Sequence, residues 1–562
     1  MYKRQVGAGA VNIGNVNTLD VNLTGDVYKH GAAVYTVKSD AHIDLTEGGG
    51  DIEFTLADAS LEFATGTVHL ENGSNLVVNT GNAAITAKGI IGTSYENVTL
   101  TTTGTTTVGT GGIGTGTTIE DVSLDGTSIV LKGDITTAGN TASDPVTVGD
   151  IDFDGAVTID GAITITSDVT GTTSDGKIDF ATNTINAEGN DTDSLTLLSG
   201  SGVITVGTIG VTTPLDALSI NASGSAASAL TIKQIGTFAG AAGVNGTTTI
   251  GNSSTTSVDL NAGEFNFGGA ATITAAGDIT TDSGISIKTN NDLTFNPNQA
   301  AGAAGLKITG DFDIVATTSN DTVTIAGNII GVDDTSNEDI TIVAGASSGT
   351  DGGTITLGGT VGTEIRAVTL TAGTAINLGG NITTINVTGN NVDINGPAIL
   401  TANVDIDTSL NDGSIDFSST INNAASGGPF NLQLDTGSGA IGVSSAIGGS
   451  ASIGTIDINQ TDGAGVITLA GIGNGTTAAG NTGQVDIGNS ATADLNLSGT
   501  FFTNGQTTYE ASSTAGATDE NIDITATTTF KTSDDAIIFS TAAIDIANTA
   551  NLTIDTGTGA IT

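Results

Sequence analysis

The sharpest candidate for chemistry in this chain is Asp150-Ile151-Asp152-Phe153-Asp154-Gly155. It satisfies the first half of a D-x-D-x-D-G calcium loop, where carboxylates at alternate positions and a glycine at the turn gather oxygens around a hard cation. The bidentate glutamate that closes such a loop belongs at the twelfth position, and Gly161 stands there instead. Strand alternation offers a reading without an ion, with Ile151 and Phe153 facing inward and the three carboxylates lining the solvent face. That is the favoured reading. Asn190-Asp191-Thr192-Asp193 could also meet a cation but reads first as a solvated loop. The tandem G-G-x-G-x-D-x-apolar-x nonapeptides of a calcium-loaded solenoid do not occur. Calcium is thus the one cofactor the acidic runs would suit, and no residue is assigned as a metal ligand.

Catalytic groups are scarcer. The histidines are His30, His42 and His69, all in the first eighth of the chain and each read as standing alone. His69 lies between Val68 and Leu70, which places it outward on a strand. Parallel β-helices include polysaccharide lyases and hydrolases, whose sites bring acids or bases together with Lys or Arg in a groove. Acids are plentiful in this chain, but Arg366 is the only arginine outside the opening residues. With no cysteine, a thiol nucleophile, a thiolate metal site and a disulfide framework are all excluded. No catalytic residue is assigned, and the expectation is a protein that is not an enzyme. Threonine runs at 101–103 and 105–107 raise ice binding, which needs two outward threonines flanking one inward residue, coil upon coil. The common triplet is the reverse, with one outward Thr between two aliphatics, as at Thr99, Thr196 and Thr369.

The elements that must carry these residues are short strands. Ile43-Asp44-Leu45, Ile52-Glu53-Phe54, Val98-Thr99-Leu100, Val368-Thr369-Leu370 and Ile456-Asp457-Ile458 each set two apolar side chains on one face and a polar one on the other. Gly, Asn, Asp and Ser clusters separate such triplets, and no sustained helical period appears. Above this alternation lies a long repeat. Leu76, Leu195, Phe312, Leu432 and Leu552 open related stretches, 119, 117, 120 and 120 residues apart. Phe63, Phe180, Phe295, Phe417 and Phe539 precede them at intervals of 117, 115, 122 and 122. Two landmarks therefore agree on a unit of about 120 residues. Glycine corners recur as Gly200-Ser201-Gly202, Gly437-Ser438-Gly439 and Gly557-Thr558-Gly559, at places taken as equivalent.

Close strand spacing without tryptophan favours a solenoid over packed sandwiches. The predicted fold class is all-β, a right-handed parallel β-helix (β-solenoid) built from repeats of about 120 residues, with two or three strands and roughly 20 to 30 residues per coil. Residues 6–562 are expected to form one continuous solenoid. The opening Met1-Tyr2-Lys3-Arg4-Gln5 has no counterpart in the repeats and reads as a non-native, adaptor-like leader. Thr562 falls inside the repeat that Leu552 opens, so the chain reads as an internal piece of a longer protein.

Composition bounds the partners. Fifty-nine acidic residues against 12 basic ones give a net charge of -47, which repels nucleic acid and anionic membrane and attracts cations. Basic residues such as Lys88, Lys132, Lys177 and Lys233 are scattered singly, so nucleic acid is excluded as a partner. No run approaches 18 consecutive apolar residues, so no direct membrane insertion is expected.

The I-x-L triplet followed by a glycine turn and a second apolar pair resembles the repeats of filamentous-haemagglutinin-type exoproteins, autotransporter passengers and other giant bacterial surface adhesins. The stretch from Gly207 to Ile220, GTIGVTTPLDALSI, is particularly similar to units of very long repetitive surface proteins of environmental bacteria. The resemblance covers nearly the whole chain. It implies a right-handed parallel β-helix, secretion across the outer membrane, and attachment, biofilm or matrix roles at the bacterial cell surface. Its implied partners are a host or environmental surface, a glycan or matrix. A calcium-dependent surface-layer component and a polysaccharide-active β-helix enzyme are the alternative readings.

Overall fold

A computed structural model describes residues 9–116, 119–139, 148–167, 175–189, 192–223, 228–261, 263–298, 304–332, 338–345, 352–362, 364–461, 463–475, 478–513 and 521–562. The adaptor-like opening residues 1–5 lie outside this set. The chain divides into two compact units, Met1–Ile279 and Thr280–Thr562. Each is a β-solenoid of stacked parallel coils, and the single helical element among the described residues is the 3-10 turn Ser409–Asn411.

In the first unit each coil has three sides. Val11–Gly14 pairs in parallel with Ala33–Thr36, and that with Leu61–Thr65. On the second side Asp20–Leu23 pairs with His42–Thr46, and that with Thr67–Glu71. On the third, Val27–His30 pairs with Asp51–Leu56, and that with Asn75–Asn79. Further on, long strands such as Ile119–Leu131 bend over two sides at a shift in register. The second unit repeats the plan: Ile285–Thr289, Phe312–Ala316 and Glu338–Ala344 stack on one side, and Leu293–Pro297, Thr322–Ile325 and Thr354–Leu357 on the next. Coil length varies along the chain. A short coil sets Ile355 beside Ile376, and a long one sets Ile163 beside Leu195. The short coil falls within the expected range of roughly 20 to 30 residues and the long one runs slightly beyond it.

The alternation of the triplets explains the stack. In Ile43-Asp44-Leu45 and Val368-Thr369-Leu370 the outer two side chains are wholly buried and the middle one looks outward. Residues of one column meet their counterparts a coil away across a parallel ladder, whose strands lie about 4.8 Å apart, so successive coils fill one interior. Each buried aliphatic side chain contributes roughly 1.5 to 3 kcal/mol to that interior. Aromatic rings also stack along the columns: Phe153 lies on Phe180 at 4.3 Å and 2°, and Phe501 on Phe530 at 5.2 Å and 20°.

Two devices hold the corners. Where the chain turns, stacked glycines bring the backbones of neighbouring coils together. A Cβ on Gly176 or Gly202 would collide with the carbonyl oxygen of Gly149 or Gly176 below it, and Gly439 and Gly465 sit likewise on Gly413 and Gly439. Beside them run ladders of Asn and Asp whose side-chain oxygens accept the backbone N–H one coil on. Asn75 Oδ1 accepts from Asn97 N (2.9 Å), Asn97 from Asp121 N (3.0 Å), Asp121 from Asp150 N (2.8 Å) and Asp150 from Lys177 N (2.9 Å). These N–H groups at strand entries would otherwise lack an acceptor.

The long repeat does not stack on itself. In the second unit, Phe312 lies on the side of Ile285 and Ile340, Leu432 on that of Val404 and Ile456, and Leu552 on the remaining side, beside Thr528. From Phe312 to Leu432 the chain takes fourteen strand-to-strand steps. From Leu432 to Leu552 ten named strands follow; three of them bend over two sides, and one further side is held by the bridging Ile447, which again makes fourteen. In the first unit the step from Leu76 to Leu195 also covers fourteen sides, four strands being doubled. A repeat of about 120 residues is thus four coils and two further sides. The expectation of equivalent glycine corners holds in local form but not in position, because Gly437-Ser438-Gly439 and Gly557-Thr558-Gly559 turn different corners of the coil.

Candidate functional site

Coil stacking gathers side chains that are far apart in sequence. The strand His42–Thr46 lies beside Thr67–Glu71 with His42 opposite Thr67, Asp44 opposite His69 and Thr46 opposite Glu71. Alternation turns all six side chains outward, so an imidazole and two carboxylates meet over two coils. His69 Nδ1 stands 3.5 Å from Asp44 Oδ1 and 3.6 Å from Glu71 Oε1, and one donor atom from each of the three residues lies within 4.8 Å of the others. Both distances exceed a hydrogen bond. Thr46 Oγ1 donates to Glu71 Oε2 at 3.1 Å, which orients that carboxylate and leaves Oε1 towards His69. Burial, then the charges of Glu71 and Asp20, push the Asp44 carboxyl above the usual carboxylate range, against the opposing pull of His69 and His42. The His42 ring lies 5.0 Å from the His69 ring, and its Nδ1 is buried with no hydrogen-bond partner. Among the described residues this is the one group of three or more His, Asp or Glu close enough to hold an ion.

The histidines are therefore not each alone. His42 and His69 are neighbours because the coil that leaves His42 returns to the same side at Thr67, a spacing that strand alternation alone does not supply. Overlaying Ile43-Asp44-Leu45 on Val68-His69-Leu70 one coil later would have placed His69 over Asp44. His30 is engaged separately, Nδ1 with the Gly31 carbonyl at 2.8 Å and Nε2 with the Tyr35 hydroxyl at 3.2 Å.

The acidic run at 150–155 takes the form of a strand, Ile151–Ile159, and not of a loop. Ile151 and Phe153 are 0% and 2% exposed, as the favoured reading has it. The carboxylates part company. Asp150 caps Lys177 N at 2.9 Å, and Asp152 pairs with Lys177 Nζ at 2.5 Å. Asp154 lies opposite Asp125, whose carboxyl is pushed up by burial and then by Asp154. Of the second acidic stretch, Asn190 and Asp191 lie outside the described residues. Asp193 is buried, and its carboxylate accepts from Gly161 N at 2.8 Å and Gly189 N at 3.1 Å. It closes a turn.

Two further cations pair with carboxylates one coil away. Arg366 forms a two-pronged pair with Asp339 one coil away, Nε at 2.7 Å from Oδ1 and Nη2 against Oδ2. Lys132 meets Asp160 at 2.5 Å. The threonine runs do not form an outward array either: Thr102 and Thr106 are buried, and Thr102 Oγ1 donates to the Ala83 carbonyl at 2.7 Å. Along the second unit, Asp405 and Asp457 flank Gln433 on one outward ladder. Burial pushes both carboxyls up, reinforced at Asp405 by Asp407 and Asp435, and at Asp457 chiefly by Asp486. No helix among the described residues is long and apolar enough to cross a membrane.

No family model, no curated protein and no solved structure matches this chain.

Proposed function

We propose that the chain is a non-catalytic structural segment, a stalk or adhesive stretch of a secreted or surface-displayed bacterial repeat protein, working in attachment, biofilm or matrix. The observation that carries this reading is the uniformity of the coils. One apolar interior runs through each unit, and the same outward triplet returns on every side. Within the second unit the fourteen-side step sets the copies that open at Phe312, Leu432 and Leu552 on three different sides, so a surface feature of the repeat is offered in several directions. Cross-coil pairs of Arg366 with Asp339, Lys132 with Asp160 and Lys177 with Asp152 engage three of the scattered cations that a polysaccharide-cleaving site would need free. The remaining carboxylates leave an acidic, strongly hydrated exterior, which resists self-association between like-charged chains.

Beads coated with the purified chain test this. They are expected to hold to polysaccharide-coated or abiotic surfaces under flow better than beads carrying an unstructured polypeptide of equal charge. Incubation with a panel of acidic polysaccharides is expected to release no new reducing ends or unsaturated products. Retention equal to the control, or saturable release of such products, refutes the reading.

A further inference from the structure

We propose that Asp44, His69 and Glu71 form a binding site for a zinc-class divalent ion that clamps two consecutive coils of the first unit, and that the neighbouring His42 joins them as fourth donor by a turn of its side chain. The proposal stands apart from the adhesive role, since a stalk needs no such site.

Spacing is the first ground. Four donors at about 2.0 to 2.1 Å around a tetrahedral ion stand roughly 3.4 Å from one another. The His69 nitrogen lies 3.5 and 3.6 Å from its two carboxylate oxygens, close to that edge length and too far for a hydrogen bond to either. Three groups that are gathered without bonding one another leave room for something between them.

Donor chemistry is the second ground. One imidazole with two carboxylates, and a second imidazole at 5.0 Å, is a borderline set that suits zinc and its neighbours in the first transition row better than calcium, which takes six to eight oxygens. The third ground is independent of the cluster: His42 Nδ1 is buried without a partner, a state that costs free energy and that a turn of the ring onto the ion would relieve. The support around the site is also in place. Thr46 holds Glu71, and the Asp20 carboxylate accepts the His42 backbone N–H at 3.2 Å. The ligands come from strands one coil apart, His42 and Asp44 from the first and His69 and Glu71 from the second, so the ion would fasten neighbouring coils outside the core.

The test uses the full chain. Zinc is titrated calorimetrically in the presence of excess magnesium, which occupies the general acidic surface, and cobalt is titrated in parallel by visible absorption. One zinc site per chain and the intense visible bands of four-coordinate cobalt are expected. His69→Ala and Asp44→Asn are expected to weaken zinc at least tenfold, and His42→Ala several-fold. His30→Ala, whose ring nitrogens already have partners, is expected to leave affinity unchanged. Circular dichroism of each variant verifies that the coils persist, and the cobalt spectrum of the unaltered chain serves as a readout that needs no variant. Absence of a stoichiometric site, a six-coordinate cobalt spectrum, or unchanged zinc affinity in His69→Ala or His42→Ala would overturn the proposal.

Discussion

Replacing Gly439 by alanine probes the closest approach between coils. The residue sits in the middle of the column Gly413, Gly439, Gly465, at a corner where its amide donates to the Thr436 carbonyl at 3.0 Å and its carbonyl accepts Thr436 Oγ1 at 2.7 Å. A Cβ there would press on the Gly413 carbonyl oxygen and stand 2.5 Å from that of Asp412, both of them backbone atoms that cannot swing away. An ordinary contact needs 3.4 Å or more, so the coils would have to part locally by about 1 Å. Overpacking of this kind costs about 1 to 3 kcal/mol. The parting would also stretch the flanking ladder bond from Ile415 N to Ala440 O, now 3.0 Å, with a further loss of about 1 kcal/mol. A total of about 2 to 4 kcal/mol is expected for Gly439→Ala, concentrated in the coils that contain Ile415 and Ile441. The fitting control is Gly362→Ala, where the new Cβ would lie 3.7 Å from its nearest neighbours in ordinary contact. Because coils of a solenoid open locally, hydrogen exchange read peptide by peptide is the right assay, with urea unfolding beside it. Equal protection in the two variants across residues 413–443 would refute the close-approach account of the corner.

Three other outcomes follow from the same geometry. Phe530→Ala, which removes a ring touching Phe501, Tyr509 and Phe539, is expected to cost about 3 to 5 kcal/mol in urea denaturation; a loss below about 1 kcal/mol would mean that the cluster packs loosely. Acidification should stabilise the second unit. Asp313, Asp393, Asp405 and Asp457 carry raised carboxyl values, so the folded chain holds protons that the unfolded chain has released, and stability rises as pH falls from neutral towards the free-carboxylate value of about 4. A thermal midpoint that drops steadily over that range at fixed ionic strength would contradict this. Asp150→Asn keeps the acceptor for Lys177 N and should leave stability nearly unchanged with or without calcium, whereas Asp150→Ala should lose about 1 kcal/mol; a calcium-dependent difference between Asp150→Asn and the unaltered chain would restore the calcium-loop reading.

The strands were legible because alternation is a local property. Ile43-Asp44-Leu45 states its inward and outward sides without reference to anything distant, and Ile151 and Phe153 could be placed inward on the same ground. The repeat was legible as a spacing. Its placement on the coil was not, because the side on which a strand lands depends on the sum of all preceding coil lengths. These vary from short coils such as Ile355 to Ile376 to long ones such as Ile163 to Leu195, and nothing local announces which is which. Leu432 and Leu552 therefore look equivalent in sequence and face different ways in space. The same blindness hid the cluster at His69: its neighbours Asp44 and His42 come from the previous coil, and their identity follows only once the length of that coil is known. The burial of individual threonines was not legible for a different reason. Thr102 and Thr106 satisfy their hydroxyls on corner carbonyls and so tolerate burial that their polarity argues against.

Fourteen is not a multiple of three, and this arithmetic bears on how such a chain can change. A tandem duplication or deletion of one whole repeat leaves inward aliphatic triplets on every side, but it carries any outward residue round by a third of a circle relative to what preceded it. Three repeats restore the original bearing after fourteen complete turns. Copy number in this architecture would therefore set direction as well as length, and genetic slippage could re-aim an exposed patch without altering a single amino acid within it.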